Sequence, residues 1–196
     1  MTRSDSSFAP GPVVLSAMIV LAALSRLLPL PPNFAPIEAV ALFGGALFAS
    51  RRLAFLVPLL AMLLSDVVLG FARGATYLDY FTTTGYLPSL LANSICIAAT
   101  VVLAFRLRGR VNGPRVLGYS LAGSVLFFLI SNFAVWLTSF TVAGYPACST
   151  GLLPCYVAAL PFFKTTLLST LFYSALLFGG FALLRSRMPA LRAQTV

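Results

Sequence analysis

The sequence predicts an all-α fold, an integral membrane bundle of six transmembrane helices with cytoplasmic termini, and three observations carry that prediction. Of 196 residues, 60% are hydrophobic and only 9% charged, whereas a water-soluble chain carries about a quarter charged residues. The apolar residues fall into six runs, and at roughly 20 residues per helical span these would use most of the chain, leaving one transmembrane domain over 1–196. The 13 Lys and Arg against 4 Asp and Glu give a net charge of +9. These arginines fall between the apolar runs, which is the signature of membrane topology and not of a nucleic-acid footprint.

The expected spans are 13–30, 35–50, 53–71, 87–105, 116–138 and 157–184. The first is followed by a proline-rich link; a cleaved signal peptide is the alternative, opposed by Arg26 directly after the apolar core. The second is short and open to a re-entrant reading, but Pro36 at its start and Arg51-Arg52 at its end are ordinary helix limits. The third ends near Phe71, before a loop rich in tyrosine and threonine. The fourth and fifth flank a basic loop carrying Arg106, Arg108, Arg110 and Arg115, and the sixth stops at Arg185 and Arg187.

Cytoplasmic loops carry the excess of Lys and Arg. The second loop, the fourth loop and the tail are therefore inside, and loops one, three and five outside. The inner side holds ten arginines and Asp5, the whole net charge of +9, while the outer side sums to zero. Its groups are Arg26, Arg73, Lys164, Glu38, Asp66 and Asp79.

The chain contains no histidine and no Gly-x-x-x-x-Gly-Lys loop. The commonest general base and metal ligand are thus missing, and an ATP-driven role would need a partner. No base or nucleophile partner accompanies Asp66 or Cys155, so the reading is not an enzyme, with no catalytic residue, resident metal or cofactor.

A charge at membrane depth is costly and usually faces a bundle interior or a cavity. Arg26, Glu38, Asp66 and Lys164 all fall within or at the ends of spans, in the outer half. One reading is structural ion pairs, such as Arg26 with Asp66, together with snorkelling side chains. With Asn33, Asn93, Asn132 and Trp136 in the same half, the set favours a shared polar cavity open to the outside. Loop one, Pro31-Pro32-Asn33-Phe34-Ala35-Pro36, would hold Asn33 and Phe34 in a nearly fixed pose, either as a binding edge or as a tight turn. Loop three, with Arg73, Tyr80 and Tyr86, reads as a cap over a pocket or as an interfacial aromatic belt. In loop five, Cys148 and Cys155 have six residues between them; a disulfide is favoured over a reactive thiol, and two sulfurs alone fall short of a zinc site. Small residues at Ala41, Gly45 and Ala49, and again at Gly118 and Ala122, leave smooth helix faces for packing in the bundle or for docking another subunit.

Several stretches resemble a group of small proteobacterial membrane proteins: Arg26-Leu27-Leu28-Pro29, Pro31 to Ile37, Ala41 to Ala46, Leu59 to Asp66, Leu69-Gly70-Phe71, Ser131-Asn132-Phe133 before Trp136, and Cys155 to Phe163. In layout the chain resembles the substrate-binding S components of energy-coupling factor vitamin transporters. That resemblance implies uptake of a vitamin-like small molecule, captured from the periplasmic side of a bacterial inner membrane, with cobalamin as the first candidate. It also implies either transport alone or docking with a membrane coupling subunit and its ATPases. The expected substrate-binding residues are Asn33, Phe34, Glu38, Asp66, Arg73, Tyr80, Tyr86, Asn132, Trp136, Tyr145, Cys155, Tyr156 and Lys164, with Cys148 or Cys155 as a cobalt ligand if the substrate is cobalamin. The alternative is a structural or assembly protein of the bilayer without a small ligand.

Overall fold

A computed structural model describes residues 10–74, 86–140, 146–188 and 191. Its helices are α1 (Pro10–Leu24), α2 (Ile37–Leu47), α3 (Arg51–Arg73), α4 (Tyr86–Ala104), α5 (Gly113–Thr138), the short α6 (Pro146–Ser149) and α7 (Leu152–Arg187). Single 3₁₀ turns extend α1 to Leu27 and α4 to Leu107. Among the described residues, α3, α4 with its extension, α5 and α7 are long and apolar enough to cross a membrane, while α1 and α2 are apolar but shorter.

The architecture is a ring around a hub. Helix α2 packs against α1, α3, α4, α5 and α7, and these touch one another in the order α1, α3, α4, α5, α7 and back to α1. Residues Glu38 to Leu47 of α2 are all buried, as expected of a helix that is apolar all round. Its two glycines serve two neighbours. A Cβ on Gly44 would lie 2.9 Å from the ring of Pro58 in α3, and one on Gly45 would lie 2.7 Å from the Ala104 Cβ in α4. Adjacent residues of a helix point about 100° apart, so the Gly-Gly pair lets one short helix approach two ring helices closely.

The element limits have local causes. The expected first span of 13–30 ends earlier, because Leu28 is extended (φ −70°, ψ 151°) ahead of Pro29, the conformation a following proline enforces. The expected 35–50 contracts to 37–47 at the hub: Phe48 turns extended, and Ser50 caps α3 by accepting from Leu53 N at 3.4 Å. Asn112 caps α5 through Arg115 N at 3.0 Å. The last helix starts at Leu152 instead of 157, with Pro154 in its first turn, where a missing N–H costs nothing.

At 1.5 Å per residue α2 is roughly 16 Å long, about half a hydrocarbon core. The linker from Leu28 to Pro36 continues its path along the middle of α7. Four prolines in that linker remove four N–H donors, Phe34 N donates to Pro31 O (3.0 Å), and Ser169 Oγ donates to Ala35 O (2.7 Å). Its backbone is thereby largely satisfied without a helix.

Arg51, Arg52, Arg106, Arg108, Arg110, Arg115, Arg185 and Arg187 all gather at one end of the bundle, because alternate helices begin or end there. Among them Arg108 donates to Gly45 O and Phe48 O, both at 2.9 Å, closing the C-terminal end of the hub. The small-residue faces have different fates: Ala41 and Gly45 are buried against the ring, whereas Ala49, Gly118 and Ala122 are exposed.

Candidate functional site

Counting along the helices from the arginine end, Asp66 lies 15 residues beyond Arg51, Asn132 lies 17 beyond Arg115 and Thr170 lies 17 before Arg187, so all stand roughly 22–26 Å above the arginines. At this level the structure forms two separate polar features and one cavity.

The first feature is an ion pair. Arg26 Nη1 lies 2.6 Å from Asp66 Oδ1, with the side chains 20% and 18% exposed. Arg26 also donates to Ser65 Oγ (3.3 Å), whose hydroxyl donates to Ala23 O (2.9 Å). This joins α1 to α3 beside a small pocket that Asn93 and Ser94 of α4 also line. Asp66 is thus committed to Arg26, and the pair sits between the surface and fully buried regimes. Breaking it from one side is expected to cost about 2 kcal/mol. Arg26→Asp and Asp66→Arg should each lower the thermal midpoint in detergent and the double exchange should restore most of it. Single variants as stable as the native chain would remove the structural role.

The second feature is Glu38, 2% exposed at the start of the hub. The single proton of the Thr170 hydroxyl is shared between the Glu38 Oε2 (3.3 Å) and Thr166 O (2.9 Å). Oε1 has no hydrogen-bond partner among the described residues.

The cavity, of about 600 Å³, lies between the halves of α5 and α7 away from the arginine end, beside α6 and loop one. Four phenylalanines line it, Phe127 and Phe128 from α5 and Phe162 and Phe163 from α7, and its polar groups are Asn33, Ser131, Asn132 and Thr166. Among the described residues no charged side chain lines it. Asn33 holds a left-handed backbone (φ 63°), which asparagine tolerates better than most residues. The Asn132 Nδ2 donates to Phe128 O (2.8 Å), so one donor is committed to its own helix while Oδ1 is left to accept. Tyr156 braces the rim, its hydroxyl donating to Leu129 O (2.6 Å) and its ring lying 5.5 Å from Phe128. Deeper in the bundle Ser120 Oγ donates to Ser174 Oγ (2.9 Å), pinning α5 to α7.

Cys148 and Cys155 form a disulfide that ties α6 to the first turn of α7 and lines the cavity. The favoured pairing is therefore the one found. The cobalt-ligand role conceived for either cysteine is corrected, since a disulfide has no thiolate to offer.

Of the residues expected in one site, Asn33, Asn132 and Cys155 meet at the cavity and Tyr156 braces it. Phe34 turns inward, its ring 5.8 Å from both Phe172 and Tyr173. Trp136 stacks with Phe133 (5.6 Å) and Phe140 (5.9 Å), and its neighbour Val135 faces the cavity instead. Lys164 is exposed and not part of the lining; Arg73 ends α3, and Tyr86 begins α4. Tyr80 and Tyr145 lie outside the described residues. Sequence reasoning missed the phenylalanines and Thr166. The signal was present as two Phe-Phe pairs, 127–128 and 162–163, on the last two long apolar runs.

A family model described as "Family of unknown function (DUF6580)" matches residues 6–191. No curated protein and no solved structure matches the chain.

Proposed function

From a chain that belongs to the DUF6580 family, we propose a bacterial inner-membrane protein that captures a small vitamin-like molecule from the periplasmic side, in the cavity between α5 and α7. In this reading α1 to α5 and α7 cross or enter the bilayer, with the arginine end and both termini cytoplasmic. The excess of arginine at one end supports the orientation.

The cavity itself carries the proposal. Its volume of about 600 Å³ is that of a drug-sized ligand site, and its lining has the composition of one, mostly apolar and aromatic with a few placed polar groups. It lies at the end opposite the arginines, where a ligand would arrive from outside. The described lining, uncharged throughout, favours an uncharged ligand. Phenylalanines on both walls favour a planar ring, stacked or edge-on, and Asn132 Oδ1 favours an N–H or O–H on its edge. Cobalamin stays the first candidate from the resemblance, and a smaller planar ring compound is the alternative that the volume and lining favour. Delivery to the cytoplasm would follow alone or with a membrane coupling subunit and its ATPases.

The test is to purify the chain in mild detergent from cells grown in rich medium and identify any stoichiometric small molecule by absorbance and mass spectrometry. With that molecule as probe, Asn132→Ala should weaken binding about tenfold, the worth of one hydrogen bond in a buried site. Lys164→Ala should leave it unchanged. A folded protein that is empty, and stays empty after incubation with a panel of water-soluble vitamins, would sink the capture reading and leave the structural one, which the Arg26–Asp66 pair already favours for those two residues.

A further inference from the structure

The ring of helices closes most loosely between α7 and α1. The two run antiparallel, and two contacts set their register. The Ser25 and Tyr173 hydroxyls share a hydrogen bond (2.6 Å), and a Cβ on Gly180 would lie 3.6 Å from the Met18 Cε. Between that hydrogen bond and the arginine end the helices leave a groove of about 600 Å³. Met18, Leu21 and Ala22 of α1 line it, with Leu176, Leu177 and Leu184 of α7; Gly180 lies midway along it and Arg187 at its end.

Polarity, length and charge each select the occupant. The described lining is apolar apart from the Ser25–Tyr173 pair at one end and Arg187 at the other. Arg187 lies 14 residues after Tyr173, roughly 21 Å along the helix, and one bilayer leaflet with its headgroups is roughly 20–22 Å deep. Arg187 belongs to the cluster of arginines at that end, and the acids among the described residues, Glu38 and Asp66, stand away from it. A soluble anion would have no use for the apolar trough, and a neutral lipid none for the guanidinium, whose planar fork suits a phosphate. Basic pockets between membrane helices take acidic headgroups on these grounds. The groove on the other flank of α7, shared with α5 at the same end, is a built-in contrast. It has about 420 Å³ and an apolar wall, but no basic residue lines it among the described residues.

We propose that the α1–α7 groove binds one anionic phospholipid of the leaflet at the arginine end, its phosphate on Arg187 and one acyl chain laid along Leu184, Gly180 and Leu177 towards Tyr173. The lipid fills the seam where α1 and α7 barely meet and so completes the ring around the hub. The site stands whatever the outer cavity binds, so it does not depend on the capture reading.

The test places the full-length chain in phosphatidylcholine nanodiscs with a trace of lipid carrying a photoactivatable diazirine on its acyl chain, and maps the cross-linked residues by mass spectrometry. Photoactivatable phosphatidylglycerol should label 18–22 and 176–184 about fivefold more than photoactivatable phosphatidylcholine at the same fraction, the worth of one arginine near an anionic headgroup. The α5–α7 groove, around Leu117 and Leu171, should show no such preference. Arg187→Gln should erase the preference. Gly180→Phe, whose ring enters the groove against the flexible Met18 tip, should reduce labelling there to the level of the rest of the bundle. The proposal is overturned by equal labelling from the two lipids in the native chain, by a preference that survives Arg187→Gln, or by undiminished labelling in Gly180→Phe. It is also overturned if glycerol 3-phosphate displaces the lipid, which would make the ligand a soluble anion, or if the groove takes no lipid because a second copy or the chain's own ends cover it. The comparison of the two lipids uses the native chain, so a variant that fails to fold does not spare the proposal.

Discussion

Replacing Gly45 by valine is expected to leave no monodisperse folded protein. A Cβ at this position would lie 2.7 Å from the Ala104 Cβ, 2.8 Å from Val101 O and 3.2 Å from the Val101 Cα. Two of these three atoms are backbone, which cannot swing aside as a side-chain tip can, so α2 and α4 must separate. The hub touches every ring helix, and a shift there loosens packing throughout. Even Gly45→Ala should cost about 2 kcal/mol, since overpacking penalties of about 1–3 kcal/mol exceed the helix propensity that alanine gains. The two extra methyls of valine fall on the same contact and take the cost to a large part of a total stability of about 5–15 kcal/mol. Gly118→Ala is the control. Nothing lies within 4 Å of a Cβ there, and the variant should be as stable as the native chain or up to about 1 kcal/mol more so. Thermal unfolding in detergent, read by size-exclusion profile, checks all three. A Gly45→Ala variant with an unchanged midpoint would show that the α2–α4 contact is not this close.

Arg108→Ala should be the second large loss, of about 3–5 kcal/mol. The guanidinium donates through Nε to Gly45 O and through Nη2 to Phe48 O, each at 2.9 Å, and lies 4.3 Å from the Phe105 ring centre. Hydrogen bonds from a charged donor contribute about 1.5–3 kcal/mol each, and without them two carbonyls at a buried helix end lose their partners. Burial, and then the nearby Arg51 charge, lower the proton affinity of Arg108 from its ordinary range, yet an arginine stays charged at any working pH. Its role is therefore not pH-dependent. Arg108→Lys should recover at most about half of the loss, because an ammonium lacks the fork that reaches two carbonyls at once. The same thermal assay decides it, and a lysine variant equal to the native chain would refute the forked cap.

The long apolar helices were legible because a span of about 20 apolar residues has few alternatives in a chain so poor in charge. The disulfide was legible from two nearby cysteines, and the placement of Asp66, Glu38 and Asn132 away from the arginine end from residue counting alone. Which of them meet was not. Depth along a helix is readable in one dimension, but the angle about the helix axis and the identity of the neighbour are not. Asp66 and Asn132 stand at nearly the same height, yet one pairs with Arg26 across α1 and α3 while the other opens to the cavity between α5 and α7. The small-residue faces taught the same lesson. Spacing marks a smooth face, but only the ring order decides that Gly45 meets α4 and Gly118 meets nothing.

By itself the sequence determined the all-helical, apolar character of the chain, the sorting of arginine to one end and the polar character of the other, since these follow from what each residue costs in hydrocarbon or gains in water. Tertiary structure alone decided that the shortest apolar helix is the hub, that Glu38 is buried at its start, and that four phenylalanines line the cavity. Those outcomes depend on which helices are neighbours, and neighbours are chosen by close packing among faces that are all apolar and hence alike in sequence.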